Sequence, residues 1–153
     1  MIRLVIFDEH TFFRFGVKQA FESNPDICVA GEAGYDAALF ENLARTAADV
    51  VLLSVNIPDD SSCIVVARHI RHDYPAIKIL VLANEDTDQT VQSLMDNGIN
   101  GYIGKRQADR VELEKAIRKV AAGGEYIGKI DSNTLIINSF KLTEEQTNGT
   151  IQR

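Results

Sequence analysis

Five short apolar runs, each separated from the next by a longer stretch of helical spacing, do most to narrow the folds open to this 153-residue chain. The runs are IRLVIF (2–7), ICVAG (27–31), DVVLLSV (49–55), KILVLA (78–83) and GYI (101–103). They are rich in Val, Ile and Leu without strict alternation, the pattern of strands covered on both faces, as in a parallel sheet. Between them Phe13, Val17, Ala20 and Phe21 recur at helical spacing, as do Ala37, Ala38, Phe40, Leu43 and Ala44. Ile64, Ala67, Ile70 and Tyr74 mark a third helix, Thr90, Val91, Leu94 and Met95 a fourth, and Leu113, Ala116, Ile117 and Val120 a fifth. Pro25 and Pro75 stop the first and third, while Gly98 and Gly123-Gly124 supply left-handed helix ends. The expected fold is α/β: (βα)5, doubly wound, a five-stranded parallel sheet of flavodoxin-like type.

The length suits one domain with a proper core, and a composition 45% hydrophobic and 25% charged is that of a globular protein. No run approaches the ~18–20 apolar residues of a membrane span, and MIRLVIFDEH turns acidic too soon for a signal peptide, so the expected location is cytoplasmic. Cys28 and Cys63 lack the spacing of a disulfide framework or zinc site and are read as reduced. His10, His69 and His72 lack the spacing of a metal site and are read as surface or strand-edge residues. A net charge of −6 argues against a grip on nucleic acid by this segment itself.

Ligands of an open parallel sheet bind outside the carboxyl ends of its strands. Those ends carry Asp8 and Glu9 after the first strand, Ser54 after the third, Ala83 after the fourth and Lys105 after the fifth. The set resembles the response-regulator receiver domain of two-component signalling, over residues 1 to about 128. The motifs that carry the likeness are LVIFDEHTFFRFGV, VVLLSVNIP, ILVLANED, GINGYIGK and AIRKVAAGGEYI, in order and at the family's spacing. Their details resemble the LuxR-type (NarL/FixJ-like) subgroup.

The resemblance implies a site in which acids after the first strand help hold Mg²⁺, matched by Asp8 and Glu9. An aspartate after the third strand accepts a phosphoryl group, and Ser54 stands at its position. A Thr or Ser after the fourth binds the phosphoryl oxygens, and here it is Ala83; the lysine after the fifth is matched by Lys105. Tyr102 matches the family's aromatic switch position, and small Ala83 leaves room for an inward ring. A serine hydroxyl is neutral at pH 7 and has no neighbouring base to activate it, so Ser54 cannot replace the aspartate. The expectation is a degenerate receiver with no cofactor beyond a weak Mg²⁺ site at Asp8 and Glu9, not an enzyme, acting through protein contacts. Two alternatives stay open: Asp59 or Asp60 as substitute acceptor for a histidine kinase, or a small-ligand sensor in the strand-end crevice. The loop NIPDDSSC also lacks the family's usual glycines.

After Gly124 the periodicity weakens; one apolar patch, Leu135 to Ile137, precedes a polar tail. KLTEEQ, 141–146, resembles the entry to a LuxR-type helix-turn-helix, with Glu145 where arginine is usual. The layout expected is a receiver domain over 1–128 and a linker over 129–153 leading toward a DNA-binding output domain that this chain lacks. Expected partners are a second copy, a sensor kinase or other regulator, and DNA only through that output domain, with no membrane. Two faces are candidates for the homodimer: the fourth and fifth helices, or the first helix, where Phe12 and Phe15 lie off the Phe13, Val17 and Phe21 stripe.

Overall fold

In the computed structural model the described residues are 1–55, 61–84, 88–106 and 108–128. Strands and helices alternate: β1 (Ile2–Phe7), α1 (Thr11–Ala20), β2 (Ile27–Ala33), α2 (Ala37–Thr46), β3 (Val50–Val55), α3 (Ser61–Asp73), β4 (Lys78–Ala83), α4 (Asp88–Asp96), β5 (Gly101–Gly104), α5 (Arg110–Ala121) and β6 (Tyr126–Ile127). All strand pairs are parallel, in the order β2-β1-β3-β4-β5-β6. The expected (βα)5 arrangement holds, with one correction: the sheet has six strands, not five. The amides of Tyr126 and Gly128 donate to Asn100 O and Tyr102 O at 3.1 and 2.7 Å, which adds β6 to the β5 edge. Gly101 permits this, since a Cβ there would lie 3.0 Å from Tyr126 O and 2.8 Å from Leu80 Cδ1.

Successive strand residues point to opposite faces, so two apolar layers form. Val5, Phe7, Val51 and Leu53 pack with Leu39 and Leu43 of α2, Ala67 and Ile70 of α3, and Leu94 of α4. Leu4, Ile6, Val50 and Leu52 pack with Val17 and Phe21 beside α1 and with Leu113, Ala116, Ile117 and Val120 of α5. Helices on both faces explain why the central strands read as unbroken apolar runs. The two dozen or so large side chains buried this way are worth about 1.5–3 kcal/mol each before conformational entropy is set against them. Gly98 and Gly123 take φ of 92° and 95° as helix-ending positions do, and Ala47 takes φ 48° at the end of α2 without glycine's freedom. No helix among the described residues is long and apolar enough to cross a membrane.

The strand order reverses about β1, which lies between β2 and β3, so the topological switch point falls where β1 and β3 end. Their ladder runs from Leu4–Val50 to Phe7–Leu53, and continued by one step it places Asp8 beside Ser54.

Candidate functional site

Asp8 and Ser54 are 1% and 2% exposed, two polar side chains at the end of an apolar ladder. The Asp8 carboxylate is well supplied with donors. Its Oδ1 accepts from the His10 amide at 2.6 Å and lies 3.0 Å from His10 Nδ1, while Oδ2 faces Lys105 Nζ at 3.5 Å. Arg14, in the first helix, hydrogen-bonds the Asp8 carbonyl oxygen. Burial pushes the Asp8 carboxyl up, but the Ser54 hydroxyl, the His10 amide, the Lys105 ammonium and the His10 ring together hold it below its ordinary value of 3.8. It is therefore ionised at neutral pH.

The Ser54 hydroxyl is close enough to favour the Asp8 carboxylate, yet no acceptor among the described residues meets its Oγ with hydrogen-bond geometry. A buried hydroxyl without a proper partner costs ~1–3 kcal/mol, so this atom is the least satisfied point of the site. The Ser54 carbonyl, in contrast, accepts from the Tyr35 hydroxyl at 3.3 Å.

Lys105 comes from the turn after β5. Its amide donates to Ala83 O at 2.7 Å, and its ammonium stands 5.2 Å from the centroid of the Phe13 ring, a cation–π contact that anchors the stem. Ala83 is wholly buried and pairs with Val55 and Gly104, so β4 ends in a methyl group where the resemblance implies a hydroxyl. The Tyr102 ring is also wholly buried and packs with the core on the α2–α4 side.

Glu9 does not join this cluster through its bonded oxygen. Oε1 accepts from the Tyr35 amide at 2.7 Å, in the loop between β2 and α2. The structure thus brings Asp8, Ser54 and Lys105 together and ties one Glu9 oxygen to a neighbouring loop. Asp59 and Asp60 lie outside the described residues, as does the tail from 129 onward. His10 and Tyr35 belong to the site although the sequence reading gave neither a role there. His10 is betrayed only by its place two residues after Asp8, and Tyr35 by nothing periodic at all.

Mg²⁺ prefers hard oxygens in an octahedron, with one or two carboxylates free to face it. Here one carboxylate is already shared between His10 and Lys105, the other is bonded to a loop amide, and position 54 offers a neutral hydroxyl. With two partly engaged carboxylates and no third acid at position 54, Asp8 and Glu9 would hold Mg²⁺ weakly at best. No group of three or more His, Cys, Asp or Glu suited to a metal occurs among the described residues.

Comparison with known proteins agrees with this geometry. A family model described as the response regulator receiver domain matches residues 4–118. The chain is 33% identical over 146 residues to the transcriptional regulatory protein DegU of Brevibacillus brevis, covering 94% of this chain and 60% of DegU. It is 26% identical over 149 residues to the oxygen regulatory protein NreC of Staphylococcus carnosus (strain TM300), covering 97% and 68%. The chain thus spans about three fifths to two thirds of the length of these relatives. Among solved structures, the isolated receiver domain of RcsB from Salmonella enterica serovar Typhimurium, with phosphomimetic BeF3−, superposes with a TM-score of 0.70 at 26% identity, covering 82% of this chain and 92% of that one. The signal receiver domain of NarL from Mycobacterium tuberculosis gives 0.69 at 30% identity, covering 80% and 97%. With the fold, the strand-end acid and lysine and the match over three quarters of its length all in agreement, the chain belongs to the response regulator receiver family.

Proposed function

We propose that this receiver signals through protein–protein contacts and is not switched by phosphorylation of its own aspartate. The observation that carries the reading is Ser54 itself: the side chain next to Asp8 at the end of β3 is a buried hydroxyl and not a carboxylate. Acyl phosphate formation needs a carboxylate oxygen as nucleophile, and the one carboxylate beside this serine among the described residues, Asp8, is held below 3.8 and engaged by His10 and Lys105, too weak a base to activate a hydroxyl. Ala83 removes the hydroxyl that would draw the loop after β4 toward a phosphoryl group, and Tyr102 is already inward without one. Asp8 and Lys105 then act as an ion pair that closes the end of the sheet.

The domain works in the cytoplasm as part of a transcriptional regulator. The likeness to DegU, named a transcriptional regulatory protein, supports that setting, and KLTEEQ supports a helix-turn-helix output domain following a linker over 129–153. The receiver spans 1–128 and associates with a second copy, while any DNA contact belongs to the output domain.

Acetyl phosphate or beryllofluoride with Mg²⁺, followed by intact-protein mass spectrometry and amide NMR, tests the reading. The expected result is no adduct and no shifts around Ser54 and Tyr102. A stoichiometric adduct would overturn it, and peptide mapping of that adduct to Asp59 or Asp60 would establish the substitute-acceptor mechanism instead.

A further inference from the structure

β1 and β3 stop pairing with each other at Phe7–Leu53, where the site begins, although β3 stays paired with β4 through Ser54–Leu82 and Val55–Ala83. A side-chain route takes over. Glu9, next to Asp8 in the chain, accepts the Tyr35 amide proton at 2.7 Å, and the Tyr35 hydroxyl reaches back to donate to the Ser54 carbonyl at 3.3 Å. The loop between β2 and α2 is thereby tied to both strand ends that frame the crevice. Gly34 eases the approach, since a Cβ there would lie 3.0 Å from Glu9 Oε1 and press the carboxylate aside by a few tenths of an ångström. Burial, with Cys63, Asp8 and Glu9 nearby, pushes the Tyr35 phenol far above its ordinary range, so the ring stays a neutral donor at any working pH.

We propose that Glu9 and Tyr35 form a brace that fixes the backbone at position 54, with Tyr35 as its positioning residue and the Glu9 carboxylate committed to the loop. A hydrogen bond to the carbonyl of residue 54 sets the peptide plane that directs its side chain, and Ser54 is held beside Asp8 even though its hydroxyl finds no proper acceptor there. The crevice therefore keeps its shape by contacts within the chain, which deepens the reading of the site as one not driven by phosphate and rests on it.

Amide hydrogen exchange of the full chain, followed by NMR without any phosphodonor, tests the brace. Tyr35→Phe deletes only the hydroxyl and Glu9→Ala only the carboxylate. Each is expected to speed exchange at residues 53–55 about three- to tenfold, the factor for one net hydrogen bond, while residues 4–6 of β1 keep the parent's rate. Combined, the two changes are expected to do little more than either alone, because they cut one connection twice. Glu9→Gln, which keeps a side-chain acceptor, is expected to restore slow exchange. Parent-like exchange at 53–55 in Tyr35→Phe, or fully additive effects in the double variant, would overturn the brace. Millimolar Mg²⁺ is expected to leave the Tyr35 amide resonance in place; a saturable shift there would show Glu9 leaving the loop for the cation and would equally overturn it. These readouts are independent of phosphoadduct formation, which bears on the proposed function alone.

Discussion

Lys105 Nζ stands 3.5 Å from Asp8 Oδ2, joining a lysine side chain that is 16% exposed to a carboxylate that is 2% exposed. The asymmetry decides which partner needs the other. Lys105 keeps some contact with water and rests against the Phe13 ring, whereas Asp8 depends on Lys105 and His10 to remain charged in an apolar setting. Lys105→Met retains the stem and removes the charge. It is expected to lower the unfolding free energy by about 1–3 kcal/mol, less than a fully buried pair because the lysine is partly solvated. Adding Asp8→Asn is expected to recover part of that loss. A change within about 0.5 kcal/mol in urea unfolding of Lys105→Met would place this pair with the weak surface bridges.

The same carboxyl gives the domain a pH signature. Because the folded state holds Asp8 below its ordinary value of 3.8, the native protein binds the proton less readily than the unfolded chain. The stability that results is fully present above about pH 4 and is lost as pH falls below 3.8 toward the depressed folded value. Glu32, lowered by Lys18 and Arg14 against the opposing effect of burial, contributes in the same direction. The experiment is therefore a comparison: Asp8→Asn is expected to flatten the acid limb of the stability curve relative to the parent. Identical acid limbs in urea titrations between pH 2.5 and 5, roughly the carboxylate range, would contradict the lowered value.

Ser54 separates polarity from charge. Ser54→Ala removes a buried hydroxyl that has no proper acceptor, so stability is expected to stay level or rise by up to about 1 kcal/mol. Ser54→Asp places a second carboxylate against Asp8, and two like charges in one buried site disfavour joint ionisation. That variant is expected to lose about 1–3 kcal/mol at neutral pH and to regain part of it near pH 5, where one carboxyl takes up a proton. A marked loss in Ser54→Ala would show that the hydroxyl's support of the Asp8 carboxylate outweighs its poor geometry.

What could be read from the sequence was set by periodicity. The five Val-, Ile- and Leu-rich runs announced β1 to β5, and reading the residues at strand ends picked out Asp8, Ser54 and Lys105, which the fold brings together. β6 escaped because two residues, Tyr126 and Ile127, carry no period, and the preceding glycines read only as a helix stop. Tyr35 escaped because its role rests on the path of an irregular loop, which fixes its amide and hydroxyl at two separate strand ends. Arg71 is a sharper case. In sequence it is another basic residue late in α3, yet its guanidinium donates to the carbonyls of Pro75, Ile77 and Gly98 and to Asn100 Oδ1, tying α3 to the start of β5. No spacing rule forecasts which carbonyls a long side chain will reach.

The first helix offers a surface for self-association. Its exposed positions, Thr11, Phe12, Phe15, Gly16 and Gln19, bear no charge, and the basic neighbours Arg14 and Lys18 are both paired with Glu32. Phe12 is 83% exposed and Phe15 49%, with ring centroids 6.4 Å apart. Gly16 has open space where a side chain would stand, which lets another helix come close. In a chain of net charge −6 an uncharged face escapes the repulsion that other contacts between copies would meet. A two-fold contact there would set the Phe rings of one copy against the Gly16 gap of the other. The chain is expected to dimerise at micromolar concentration without any phosphodonor. Phe15→Glu changes both halves of the contact at once and is expected to weaken it by ~2 kcal/mol or more, about thirtyfold in Kd. Sedimentation equilibrium of parent and variant reads this directly. A monomeric parent would end the idea of a dimer, while an unchanged dimer in Phe15→Glu would move the contact to the face of α4 and α5.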